Sequence, residues 1–186
     1  MTAMFYWYAW TISIIGYFFL QKISLRLRLL LFTGVSMSTY SVSFWNTEQH
    51  FYLHIGMLGA FGLLFWTGRK REWTQHFWPF VLSLGYTSVQ LFFIVNPVWL
   101  ELPGIQLGLI GVIILLKYFC PDTEGLIGMW LFMNAIGTLS SHLILSLYSQ
   151  DELLFNDQVL LLALKGVLIL MIFYGVAHLK NRNKKR

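Results

Sequence analysis

The chain has 186 residues, 57% hydrophobic and only 11% charged, with a mean hydropathy of +0.64. A soluble domain carries roughly 25% charged residues, so this composition points to a bilayer and away from a soluble globular enzyme. The net charge of +5 comes from short Lys/Arg clusters that flank apolar stretches; these read as topology signals and contacts for anionic lipid, and no nucleic-acid surface is expected.

The first predicted span runs from about 4 to 20, and Tyr6, Trp7, Tyr8 and Trp10 at its start suit an interfacial aromatic belt. It ends at Lys22, Arg26 and Arg28, and a second span follows from about 29 to 45. A third, about 51 to 67, stops at the run GRKRE; a fourth, about 77 to 95, stops at Asn96-Pro97. The fifth covers about 104 to 119 and the sixth about 126 to 148. The seventh, about 159 to 179, precedes a basic tail over 180–186, and this segment is taken as the one that organises the chain. Each stretch approaches the ~20 residues that cross ~30 Å of hydrocarbon as a helix. The fold class expected is therefore all-α: a single polytopic bundle of seven transmembrane helices.

Lys and Arg resist translocation, so their placement orients the bundle. With the C-terminus in the cytoplasm, the inside segments hold Lys22, Arg26, Arg28, Arg69, Lys70, Arg71, Lys117, Lys180, Arg182, Lys184, Lys185 and Arg186. The outside loops hold none and carry Glu48, Glu101, Asp151, Glu152 and Asp157. The expectation is an N-terminus outside and a C-terminus inside a bacterial plasma membrane. The opening MTAMFYWYAW lacks a positive n-region and an A-x-A site, so no cleavable signal peptide is expected.

Polar residues inside the spans are the candidates for function. Lys165 sits inside the apolar part of the seventh span, and a charge near the bilayer centre costs at least ~2.5 kcal/mol. The structural alternative is that its stem snorkels outward to Asp157, Asp151 or Glu101. On the sixth span Asn134, Thr138, Ser141, His142, Ser146 and Ser149 recur three and four apart and share a face. The second span repeats this with Thr33, Ser36, Tyr40, Ser43 and Thr47, and the fourth with Ser83, Thr87 and Gln90. Such stripes serve either as interhelical glue or as the lining of a wet path. Depths counted from the outer boundary bring His142 and Lys165 to similar levels, so an outward-facing polar site of Lys165, His142, Ser141, Thr138, Asn134 and Gln90 is one reading. Gly56 with Ala60 and Gly104 with Gly108 are small-xxx-small pairs suited to close helix packing.

Catalytic and metal readings fare worse. His50 and His54 are spaced i, i+4 as two candidate ligands, but no third is recognisable, and no metal site or other cofactor is expected. There is no G-x-S-x-G, H-E-x-x-H or phosphate loop. Cys120 is the single cysteine, which excludes an intramolecular disulfide, and Asp122 and Glu124 beside it disfavour a thiolate. A retinal-type Schiff base on Lys165 would need a buried counter-ion, and no Asp or Glu lies inside any span.

The aromatic start FYWYAW, the following YFFLQK with nearby arginines, the length and the seven-span layout resemble the YphA-type family of uncharacterised bacterial integral membrane proteins. That resemblance implies a membrane location and no activity. The reading is a small integral membrane protein without catalysis, acting through the lipid bilayer or other membrane proteins as partners. The alternative is a small transporter or proton-coupled permease subunit built on Lys165 and His142.

Overall fold

The computed structural model describes residues 2–41, 47–101, 105–148 and 158–183. Among these, seven α-helices and no strands are present: α1 Thr2–Phe19, α2 Ile23–Ser41, α3 Thr47–Trp66, α4 Trp78–Val95, α5 Ile105–Phe119, α6 Thr123–Ser146 and α7 Gln158–Asn183. Short 3-10 helices cover Trp73–Phe77 and Pro97–Glu101. By length and composition, three helical segments among the described residues can cross a membrane: Gln75–Val95, Thr123–Ser146 and Val159–Val176. α2 starts at Ile23, ahead of the expected 29, because a helix continues through Arg26 and Arg28 where a hydrophobic span does not. α7 runs on to Asn183, into the stretch expected as a polar tail.

Local chemistry sets the helix ends. Asp122 caps α6, its side chain accepting from the Gly125 backbone N–H at 2.8 Å. Pro79 stands in the first turn of α4, where its missing N–H costs nothing. Asn96-Pro97 and Cys120-Pro121 follow α4 and α5, and a residue before proline is driven out of the helical region. Within the helices, hydroxyls bond back to their own turn. Ser36 donates to Phe32 O, Ser83 to Pro79 O and Ser141 to Gly137 O.

The organising element is α6, not α7. Of their apolar stretches 72% is buried in α6, against 39% in α7 and 17% in the segment containing α4. Every residue from Glu124 to Ala135 is buried. Sequence hydrophobicity favoured α7 because lipid and protein interior select the same residues; neighbours on every side, not greasiness, make a hub.

Glycines set the closest approach. A Cβ at Gly62 of α3 would lie 2.7 Å from Phe132 N, and one at Gly128 of α6 would lie 2.6 Å from Trp66 N. Gly59 faces Ala135 along the same seam. The expected pair Gly56 and Ala60 instead faces outward, and Gly108 has open space around it. Gly104 lies outside the described residues.

The seam fixes directions. On α3 residue numbers fall as they rise on α6, through Trp66–Gly128, Gly62–Phe132, Gly59–Ala135 and Tyr52–His142, so the two helices are antiparallel. α4 runs parallel to α6, through Phe80–Phe132, Thr87–Gly137 and Gln90–Ser141. α1 and α2 are antiparallel, through Phe5–Tyr40, Ser13–Thr33 and Gly16–Leu29. α2 and α3 alternate likewise, through Tyr40–His54, Ser36–Met57 and Phe32–Phe61. One end of the bundle therefore gathers Lys22, Arg28, Arg71, Asp122 and Glu124, and the opposite end gathers His50, His54, Tyr52 and His142.

Candidate functional site

Two side-chain clusters stand out, one at each end. At the basic end the start of α6 is the anchor. Arg71, whose side chain is 6% exposed, folds back from the α3–α4 connection. Its Nε donates to Trp66 O at 3.1 Å, Nη2 to Asp122 Oδ2 at 2.9 Å, and Nη1 to Cys120 Sγ at 3.4 Å. Its guanidinium also lies 3.9 Å over the Trp66 ring. The planar fork of arginine allows all four contacts at once; an ammonium has no such geometry.

Asp122 is correspondingly saturated, accepting from the Gly125 amide, from Arg71 and from the Cys120 thiol at 3.2 Å. Burial works against its charge, but the bonds from Cys120, Gly125 and Arg71 outweigh it and hold the carboxyl below its ordinary value of 3.8. The same surroundings push the Cys120 thiol up to about 11, first through burial and then through Asp122. Burial is thus a larger cause of the raised thiol than the acidic neighbours read from the sequence.

Glu124, buried in the first turn of α6, pairs with Lys22 from the α1–α2 connection. Arg28 Nη1 of α2 stands 4.0 Å away, near enough for attraction but not for a hydrogen bond. Both carboxylates also sit where the helix dipole favours negative charge. His76 completes this end: Trp66 Nε1 donates to its Nδ1 at 3.2 Å, tying the 3-10 helix Trp73–Phe77 to α3. Sequence reasoning treated Arg28 and Arg71 only as topology signals. Their partners lie far along the chain, 51 positions in the case of Arg71 and Asp122, and no local pattern announces them.

At the opposite end three imidazoles are buried among aromatic rings. Tyr52 and His142 Nε2 share a hydrogen bond of 2.8 Å between α3 and α6, and Phe51 lies 5.0 Å from the His142 ring. His54 is stacked 6.5 Å from Tyr40, which itself stacks on Phe5 at 4.0 Å. The rings of His50 and His54 are 6.2 Å apart. Among the described residues no group of three or more His, Cys, Asp or Glu is placed to hold a metal ion.

The outward-facing polar site drawn from the sequence is not assembled as one unit. Lys165 is half-buried with Nζ 5.9 Å from the centre of the Tyr8 ring on α1. Its neighbours Ala163 and Gly166 lie against Trp130, whose Nε1 donates to Ala163 O at 2.9 Å. His142 is twelve residues farther along α6, about 18 Å of helix. Depth counted from the outer boundary sets Lys165 level with His142, whereas the residues on either side of it meet α6 at Trp130. Asp151 and Asp157, two of its expected partners, lie outside the described residues.

The other polar residues are engaged between or within helices. Thr87 donates to Gly137 O at 3.1 Å and Ser141 to Gln90 Oε1 at 3.1 Å, linking α4 to α6. Asn134 Nδ2 donates to Trp130 O at 2.8 Å, and Thr138 is fully buried nearby on the same helix. Thr33 meets Ser13 of α1 at 2.9 Å, and Ser36 reaches the Met57 thioether. Ser43 and Ser149 lie outside the described residues.

No curated protein and no solved structure matches this chain. A family model does, over residues 2–186. That match covers essentially the whole helical bundle just described, and the chain belongs to the YphA-like integral membrane protein family.

Proposed function

We propose that this is a non-catalytic, multi-pass protein of the bacterial plasma membrane that acts through lipid or protein partners. Its N-terminus lies outside and its C-terminus in the cytoplasm. The observation that carries the reading is the use of the facing α4 and α6 stripes: Thr87 and Gln90 of α4 and Ser141 of α6 are engaged in hydrogen bonds between the two helices. Bonds of this kind hold transmembrane helices together at ~0.6 kcal/mol each. The wide axial separation of His142 and Lys165 weighs against a shared transport site. The alternation of helix directions and the gathering of Lys22, Arg28 and Arg71 at one end support the threading and its orientation.

The test is proton permeability of purified protein in liposomes enclosing a pH-sensitive dye. The expected rate equals that of protein-free liposomes. A faster flux that is abolished by Lys165→Met or His142→Gln overturns the reading in favour of a permease.

A further inference from the structure

The run Arg69–Lys70–Arg71–Glu72 looks uniform in sequence, but the fold divides it. Arg71 turns inward to Trp66, Cys120 and Asp122, while Arg69, Lys70 and Glu72 remain exposed. Two of the three acids at this end, Asp122 and Glu124, are taken up by Arg71, Lys22 and Arg28. Among the described residues neither Arg69 nor Lys70 meets a carboxylate. Immediately beyond them Trp73 is 91% exposed and Phe77 is 68% exposed. The connection is nonetheless held in place at two points, by Arg71 on Asp122 and by His76 on the Trp66 indole.

Two outward cations beside two outward aromatic rings, on a connection fixed to the end of a membrane helix bundle, fit one environment. Trp prefers the headgroup level, where its ring is half in hydrocarbon and its N–H stays solvated. Lys and Arg at that level are attracted by anionic headgroups. We propose that the α3–α4 connection is a docking surface for acidic phospholipids, with Arg69 and Lys70 meeting headgroup phosphates and Trp73 and Phe77 seated beside the upper acyl chains. This rests on the reading that the protein works through lipid partners, and it names both the lipid chemistry and the residues.

The experiment compares thermal stability in nanodiscs of phosphatidylcholine alone and with roughly one third phosphatidylglycerol. The wild type gains several degrees from the acidic lipid, and the gain shrinks in high salt as the Debye length contracts. The double variant Arg69→Gln/Lys70→Gln loses at least half of the gain but melts like the wild type in phosphatidylcholine, which reports an intact fold. Lys117→Gln, at an exposed cation on α5, keeps the gain. An undiminished gain in the double variant, or an equal loss in Lys117→Gln, overturns this surface and leaves lipid partnership standing. No gain in the wild type overturns both.

Discussion

Arg71 and Cys120 illustrate how much a single side chain's meaning depends on where the chain returns. A cysteine flanked by Asp122 and Glu124 reads as inert from the sequence, and the structure adds burial and a hydrogen bond to Asp122 as causes. With its thiol pushed from 9.0 to about 11, the thiolate fraction at pH 8 falls about 100-fold. Alkylation of Cys120 at pH 8 by a small maleimide is therefore expected to be at least that much slower in the folded protein than after denaturation. Equal rates would show the thiol open. The sign of the linkage follows: a raised thiol value favours the folded state below pH 9 and ceases to do so as pH climbs through about 11. Arg71 was not legible in this way. Its neighbours in sequence are Lys70 and Glu72, and nothing local distinguishes it from Arg69; only the return of the chain at Asp122 does.

At the scale of helices, hydrophobicity and breakers placed the elements well, since Asn96-Pro97 and Cys120-Pro121 act locally. Faces were harder to read. A transmembrane helix is apolar on its lipid side as well as its packed side, so Gly56–Ala60 and Gly59–Gly62 are equally plausible seams until α6 is placed. The two sets now make opposite forecasts. Gly62→Ala and Gly128→Ala force a methyl against backbone and are expected to destabilise by about 1–3 kcal/mol. Gly56→Ala and Gly108→Ala meet open space, so melting temperatures in detergent should stay level or rise slightly. Similar losses at all four positions would mean that the α3–α6 seam is not the tight one. The polar stripes were legible as faces, but their roles were not: spacing aligned Ser141 with His142's turn, while the partners Gln90 and Tyr52 came from two different helices.

For the molecule as a whole, the sequence speaks through its charge asymmetry, because Lys and Arg placement reflects insertion itself. Its forecast is direct. In a Cys120→Ala background, Tyr148→Cys should react with a membrane-impermeant maleimide on intact cells, and Glu72→Cys only after lysis. The reverse pattern would invert the bundle. Both sites are exposed, so access reports sidedness and not burial. The relative heights of helices were the least legible feature, since they depend on where neighbours interlock, as Trp130 does with Ala163 and Gly166.

The position of the hub in the chain also bears on how the protein is made. α6 ends about 80 residues after α3; at about 5–20 residues per second, its last turn leaves the ribosome roughly 4–16 s later. Until then Gly59, Gly62 and Tyr52 of α3, and Ser83, Thr87 and Gln90 of α4, have no α6 to receive them. A nascent chain halted before Thr123 has made α1 to α5 and leaves these polar and small residues uncovered. Biogenesis of this protein is a matter of waiting, in the bilayer, for its sixth helix.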